Sequence, residues 1–308
     1  MSRAVTSLLI VIDAQETEHA GLNRIKEMPA DSFHFQIDLY VERRLLATSP
    51  APSSTRALLP AETACQADDK DAWLTLLVQP LRDLGYSLDT AVIEFEQLHE
   101  SIIERAGALG VGCILKPLRH HGLLRQLSFT PTDWQLVRQC AIPLWLVSHF
   151  YRLKGKPMLA AVDIAETEQS HVALNQRVLQ QAAAVSALLH GPLHVVSAYS
   201  MAPLPVLADP LAVQAVERLR LDQMALARQV AFQHQIDSGR IHCELGSVNR
   251  VVNYTSQQID AGVIVLGSTM RAGVSRSLGG SVAEAVMAET DSDVLIVKSG
   301  RESLSITV

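Results

Sequence analysis

The sequence predicts an α/β protein in which two five-stranded parallel sheets follow one another along the chain, each covered by helices on both faces. The length of 308 residues suffices for two domains of about 150 residues each. Short, β-branched apolar runs alternate with amphipathic stretches, and the pattern of the first half recurs in the second. Hydrophobic residues make up 48% of the chain and aromatic residues 5%, an aliphatic composition typical of layered α/β cores.

Five apolar runs in each half are predicted as strands, because each is short and bounded by turn residues or charges. The first half contains Leu8–Ile12, Phe35–Val41, Thr90–Phe95, Gly112–Lys116 and Pro143–Ser148. The second half contains Met158–Val162, Leu193–Ala198, Arg240–Gly246, Gly262–Leu266 and Val294–Lys298. Helices are predicted in the gaps, so that each strand leads through a crossover to the next parallel strand.

The two halves share individual residues as well as a pattern. Asp13 and Asp163 end the first strand of each half, 150 positions apart. The "HAGLN" of His19–Asn23 recurs as the "HVALN" of His171–Asn175, which places both histidines in the first helix of their half. We interpret the chain as a tandem repeat.

The boundary between the repeats is predicted in the polar stretch His149–Pro157, whose glycine and proline suit a linker. The predicted domains are residues 1–150 and 151–308.

The last helix of each half is predicted to begin with a capping residue. Ser281 and Glu284 have the spacing of a capping box, and Thr130 precedes Pro131 at a first helical position. In the second half, the glycine- and serine-rich loop Gly267–Ser281 leads from the fourth strand to this helix, an arrangement that gathers backbone N–H groups around phosphate. Aligned on the caps, Lys116 takes the place of Gly267, so the first half lacks the glycines.

These residues make the second half similar to a universal stress protein domain. Nucleotide-binding members of that family carry G-x2-G-x9-G-[ST] after the fourth strand and an aspartate at the end of the first. Gly267, Gly280, Ser281 and Asp163 match these positions, and Met270 departs from the second glycine. The tandem layout and the "FTPTDWQLVRQC" of Phe129–Cys140 resemble the universal stress protein E subgroup, with the first half degenerate.

The resemblance implies an adenine nucleotide alpha hydrolase-like fold and a site at the carboxyl ends of the strands. By this resemblance the adenine lies near Ala161, Asp163 and Ala198. The ribose and phosphates lie along five further positions, Gly267, Ser268, Gly280, Ser281 and Val282. The cofactor expected is ATP or another adenine nucleotide, with magnesium only alongside ATP.

The resemblance also implies an internal pseudo-dimer, in which the two halves pair through their fifth strands. Such pairing would cover apolar strand edges that are otherwise exposed. A homodimer of tandem chains and an unidentified protein partner stay open.

Three functions stay open at this point. The first is a stress-response protein with a nucleotide site in its second half, and the second is a scaffold or apolar-ligand-binding protein whose sites have decayed. The segments 47–62 and 201–212 are proposed to cover such an apolar ligand. The third is a weak ATPase. The side chain of Met270 favours the second function, because it fills space that glycine leaves to a phosphate.

Several other classes are excluded or disfavoured by the sequence. The net charge of −6 disfavours nucleic-acid binding, which usually requires a basic surface. The first apolar run stops at Asp13, too soon for a signal peptide or a membrane span, and the four cysteines lack metal or disulfide spacing, so we expect a cytoplasmic protein. No nucleophile triad or carboxylate pair is evident, and we name no catalytic residue.

No metal ligand is named either. His99 and the adjacent histidines of the "LRHH" segment, Leu118–His121, are interpreted as residues of a solvated loop rather than zinc ligands. Trp134 and Trp145 are interpreted as core or interface residues.

Overall fold

The computed structural model describes residues 6–13, 19–42, 70–121, 126–148, 152–199, 210–268 and 282–299. The chain divides into two compact units, the first ending at Arg152 and the second beginning at Leu153. We call them the N-terminal unit and the C-terminal unit.

Strands and helices alternate along the N-terminal unit. The elements are β1 (Thr6–Asp13), α1 (Ala20–Ile25), β2 (Phe33–Glu42), α2 (Lys70–Asp83), β3 (Ser87–Phe95), α3 (Leu98–Leu109), β4 (Cys113–Pro117), β5 (Arg119–His121), β6 (Gln126–Ser128), α4 (Pro131–Gln139) and β7 (Leu144–Val147). The main sheet has the order β3-β2-β1-β4-β7, and every pairing between these neighbours is parallel.

The C-terminal unit repeats this arrangement. Its elements are β8 (Met158–Ala161), α5 (Gln169–Leu189), β9 (Leu193–Tyr199), α6 (Pro210–His234), a 3-10 turn (Ser238–Arg240), β10 (Ile241–Leu245), α7 (Val248–Gln258), β11 (Val263–Ser268), α8 (Val282–Met287) and β12 (Asp293–Lys298). The sheet order is β10-β9-β8-β11-β12, again parallel throughout. The prediction of two five-stranded parallel α/β sheets is confirmed, and all ten predicted strands are present.

The middle strands of each sheet are buried because helices cover both of their faces. In β1 the five residues from Leu8 to Ile12 are all buried, as are the first four residues of β11. Strands β3 and β10, each the last strand at one edge of its sheet, are more exposed. The two strand cysteines differ accordingly: Cys113 in β4 is fully buried, whereas Cys243 in β10 is only half-buried.

Two predictions about histidines are wrong. His19 lies immediately before α1 as its N-terminal capping residue, whereas His171 does lie within α5. The backbone of Arg119–His121 forms strand β5, which pairs with β6 in a small antiparallel hairpin and is not a loop.

No helix within the described residues is both long enough and apolar enough to span a membrane. The pairing of the two halves through their fifth strands stays a prediction.

Candidate functional site

The carboxyl ends of all five strands of the C-terminal unit meet at one edge of its sheet, because the strands are parallel. This edge carries Asp163 just after β8, Ala198 near the end of β9, and Gly267 and Ser268 at the end of β11. Ala161 and Ala198 are small and half-buried, and Asp163 is exposed. The edge therefore presents a carboxylate next to two positions without bulky side chains.

Local hydrogen bonds fix the chain around Asp163. One carboxylate oxygen accepts from the backbone N–H of Ala165 at 3.0 Å, which forms a short turn after the strand. The backbone oxygen of Asp163 accepts from the side-chain amide of Asn175 at 2.7 Å. Asn175 is the last residue of the repeated "HVALN", so this repeat positions the chain at the strand end.

The histidine of the same repeat has a different partner. His171 Nδ1 lies 3.0 Å from Glu166 Oε2, and both groups are on the surface of the unit. The backbone N–H groups of Glu168 and Thr167, and then His171, lower the pKa of Glu166. This arrangement orders the turn before α5 and agrees with the interpretation of His171 as a helix-surface residue.

Gly267 has a packing role that its motif position did not indicate. A Cβ built at Gly267 would lie 2.9 Å from Cγ of Leu174 and 3.3 Å from Cγ2 of Val178, both on α5. Helix α5 therefore lies closer to β11 than a residue with a side chain at position 267 would allow. In the N-terminal unit the glycine is on the helix instead: a Cβ built at Gly21 of α1 would lie 3.1 Å from Cγ2 of Ile10 on β1 and 3.8 Å from Cγ of Pro117.

A buried lysine lies at this edge beside Ser268. Lys298 ends β12, is only 2% exposed, and pairs in register with Ser268 at the end of β11. Its ammonium Nζ donates to Ser268 Oγ at 3.3 Å. The backbone oxygen of Lys298 accepts from Arg177 of α5 at 3.3 Å, which holds the end of the strand against that helix.

Three other residues of the predicted loop, Met270, Gly280 and Ser281, lie outside the described residues, as does the capping box predicted from Ser281. Val282, the last predicted contact residue, is the first residue of α8 and is half-exposed.

The matching edge of the N-terminal unit is closed by an ion pair. Lys116 Nζ lies 2.7 Å from Asp133 Oδ1, with side-chain exposures of 8% and 0%. Asp133 also accepts from the backbone N–H of Thr130 at 2.6 Å and from its hydroxyl at 2.7 Å. The predicted cap at Thr130 and the proline at the start of α4 are confirmed, and Thr130 and Asp133 together form a capping box.

The strand register corrects the sequence alignment of this lysine. Leu8 and Met158 are equivalent residues of the first strands, by the same offset of 150 that relates Asp13 to Asp163. Leu8 pairs with Cys113 in the N-terminal unit, and Met158 pairs with Val263 in the C-terminal unit. Lys116 is therefore equivalent to Leu266, and Pro117 to Gly267. The alignment on the helix caps is off by one residue because the loop between strand and helix is one residue longer in the C-terminal unit.

A tyrosine fills the other end of the N-terminal edge. Tyr40 pairs in register with Asp13, whereas Ala198 takes the position next to Asp163 in the C-terminal unit. Tyr40 is only 5% exposed, and its hydroxyl has no hydrogen-bond partner among the described residues. Burial, and then the nearby carboxylate of Asp38, raise the pKa of Tyr40. The space that an alanine leaves free in one unit is occupied in the other.

A family model described as the universal stress protein family matches residues 156–298, and relatives with that name align along nearly the whole chain. The C-terminal unit is thus similar to the universal stress protein family. The chain is 27% identical over 303 residues to universal stress protein E of Escherichia coli K12, covering 95% of this chain and 93% of the relative. The homologue from Photorhabdus laumondii is 26% identical over 300 residues, covering 95% and 94%.

Solved structures agree with the fold of a tandem universal stress protein. A protein of unknown function from Pseudomonas aeruginosa PAO1 has a TM-score of 0.76 and 27% identity, covering 96% of this chain and 93% of that chain. A universal stress protein from Archaeoglobus fulgidus has a TM-score of 0.63 at 14% identity, covering 97% of this chain and 100% of that chain. The second likeness supports the fold alone.

Two features of the carboxyl edges, Lys298 and the Lys116–Asp133 ion pair, were not found in the sequence. A contact between His194 and His242, near the opposite ends of β9 and β10, was not found either. Of these, only Lys298 could have been predicted from the sequence. It directly follows the apolar run "DVLIV", so it is expected at the end of a buried strand and therefore at the site edge. Among the described residues, no group of three or more metal-ligating side chains comes together.

His194 and His242 make a pH-sensitive contact between β9 and β10. Their ring nitrogens lie 3.1 Å apart, and the ring planes differ by only 10°. An N–H···N bond at this distance needs one neutral ring as the acceptor. Burial lowers the pKa of both histidines, and the neighbouring His242 lowers the pKa of His194 further.

The C-terminal unit is therefore expected to lose stability as the pH falls from about 6.5, the ordinary histidine pKa, towards the lower pKa values of the folded state. The unfolded chain binds these protons first, so acid favours unfolding. Urea unfolding of the full chain between pH 7.5 and pH 5 measures the slope. His194→Gln should reduce the slope, and His234→Gln, at the exposed end of α6, should not. Equal slopes for wild type and His194→Gln would contradict the assignment.

Proposed function

We propose that the protein is a cytoplasmic stress-response protein that binds an adenine nucleotide in its C-terminal unit. The N-terminal unit is a degenerate copy without such a site. The observation that carries the proposal is the contrast between the two carboxyl edges. One presents Asp163 beside Ala161 and Ala198, and the other is filled by Tyr40 and the Lys116–Asp133 ion pair.

The chemistry of the open edge suits a nucleotide. A carboxylate beside small residues can accept from the amino group of a purine, and Ser268 and Lys298 supply donors at the other end of the edge. Ligands of open α/β sheets bind beyond the carboxyl ends of the strands. The family motif adds Gly280 and Ser281 from the sequence. If magnesium takes part, it accompanies ATP.

The function proposed is binding rather than catalysis. Slow ATP hydrolysis is the alternative that an activity assay separates from it. The scaffold alternative would gain support from a lipid, or from no ligand, in mass spectra of the purified protein. Segment 47–62 and most of segment 201–212, proposed to cover an apolar ligand, lie outside the described residues.

Two substitutions in the loop test the proposal with the full chain. Met270→Gly should tighten ATP binding, because it removes a side chain from the phosphate path and relieves about 1–2 kcal/mol of strain if that residue adopts positive φ. Gly280→Val should weaken binding by crowding the same backbone. Calorimetry with ATP and magnesium measures both effects, and thermal melting checks that each variant is folded.

The contrary result is equally clear. If neither the wild type nor Met270→Gly binds ATP, and Gly280→Val changes only the melting temperature, the loop is a connection without a nucleotide and the proposal is wrong.

A further inference from the structure

Helix α6 of the C-terminal unit carries several large apolar side chains that are exposed to solvent. The helix has 25 residues and is therefore about 37 Å long. Among its described side chains, only Gln223 and Ala231 are buried. Phe232 is 87% exposed, and Val213 and Leu221 are 55% and 54% exposed. Exposed apolar side chains that are grouped together, rather than scattered, indicate a surface that another protein covers.

These side chains belong to one row along the helix, with two charged residues between them. The row has six members, separated by 4, 4, 3, 4 and 4 positions: Val213, Glu217, Leu221, Met224, Arg228 and Phe232. Because an α-helix turns by about 100° per residue, all six positions lie within about 100° of arc on one face. Met224 is half-exposed, and the other five are exposed. We call this row the α6 stripe.

The α6 stripe is complementary to a second copy of itself. Its spacing is the same in both directions along the helix, about a midpoint between residues 222 and 223. An antiparallel second copy related by a two-fold axis would bring together three kinds of pair: Phe232 with Val213, Met224 with Leu221, and Arg228 with Glu217. Each pair occurs twice, because the contacts of a two-fold interface are reciprocal. Apolar residues then meet apolar residues, and opposite charges meet, whereas a parallel pairing in register would bring like charges together.

The carboxylate of Glu217 can accept a further cation. Its two oxygens accept from Arg220 of the same helix at 2.6 and 2.9 Å, and the side chain is still 54% exposed. A carboxylate offers about four lone-pair sites, so a second guanidinium can bind. Arg228 of the same chain is too far away, because 11 residues of helix separate the two positions by about 16 Å.

We propose that two copies of this chain associate through the α6 stripe, as a two-fold symmetric dimer in which the α6 helices run antiparallel. Phe232 anchors both ends of the contact, as aromatic side chains commonly do in protein interfaces. The two Glu217–Arg228 ion pairs fix the relative direction of the helices. The dimer requires no nucleotide, so the inference does not depend on the proposed function.

Analytical ultracentrifugation of the full chain without nucleotide tests the dimer. The wild type should pass from monomer to dimer between about 1 µM and about 100 µM. Phe232→Ser should raise the Kd of the dimer by about a hundredfold or more, because two aromatic rings leave the interface. Leu76→Ser is the matched control, since Leu76 is 74% exposed on α2 of the N-terminal unit. It should leave the Kd within about twofold of the wild-type value.

Charge reversal tests the direction of the helices. Glu217→Arg and Arg228→Glu should each raise the Kd by about tenfold, because like charges then meet in both ion pairs of the dimer. An equimolar mixture of the two variants should dimerise about as tightly as the wild type. Each contact between the two different chains again joins opposite charges. Circular dichroism checks that every variant is folded.

Three results would overturn the inference. A wild type that stays monomeric up to about 100 µM would leave the stripe to a different protein. A dimer whose Kd is the same in Phe232→Ser and in the wild type forms through another surface. A mixture of Glu217→Arg and Arg228→Glu that dimerises no more tightly than either variant alone would exclude the antiparallel arrangement.

Discussion

Replacing Asp133 by alanine is expected to lower the free energy of unfolding of the N-terminal unit by about 3–5 kcal/mol. The substitution leaves the ammonium of Lys116, with a side chain only 8% exposed, without its carboxylate partner. It also removes the acceptor of the Thr130 backbone N–H and so weakens the cap of α4. Urea unfolding of the full chain, followed by circular dichroism, measures the change.

A surface ion pair of the same length supplies the control. Lys156 Nζ also lies 2.7 Å from the carboxylate of its partner Asp260, but these side chains are 34% and 79% exposed. Lys156→Met, which removes the same pair and keeps the apolar part of the side chain, should therefore cost no more than about 1 kcal/mol. Equal costs for the two substitutions would show that burial does not determine the strength of the Lys116–Asp133 pair. Adding Lys116→Met to Asp133→Ala should recover part of the loss, because no buried charge then remains.

Gly267→Ala is expected to destabilise the C-terminal unit by about 1–3 kcal/mol, the usual cost of forcing extra volume into a packed core. The added methyl group would lie 2.9 Å from Leu174 Cγ, so α5 has to move away from β11. Gly107→Ala is the matched control, because a Cβ there meets nothing within 4 Å and the residue lies inside α3. That substitution should stabilise the protein by about 0.5–1 kcal/mol.

Both glycine variants can be compared in one denaturation experiment. If Gly267→Ala leaves the free energy of unfolding unchanged, α5 can move away from β11 and packing does not require a glycine at this position. ATP calorimetry on the same variant then shows whether the shift reaches Ser268, its neighbour at the strand end.

Much of the candidate site could be predicted because it follows from parallel strands. Once Asp163 and Gly267 are recognised as residues at strand ends, the parallel order brings them to one edge of the sheet. The repeated Asn175 was also visible, although its hydrogen bond to the backbone of Asp163 was not. The packing of Leu174 against Gly267 could not be predicted, because it depends on the distance between α5 and the sheet, which no local sequence pattern determines.

The sequence by itself determined the tandem repeat, the ten strands, the parallel order and the cap at Thr130, because each depends on periodicity or on residues a few positions apart. Only the tertiary structure decided that Lys116 pairs with Asp133, that Lys298 reaches Ser268, and that Lys116 is equivalent to Leu266. These facts depend on strand register and on contacts between residues 17 to 30 positions apart in the chain. A one-residue shift of register turns a side chain to the other face of a sheet, so the alignment of two repeats by their motifs could not decide them.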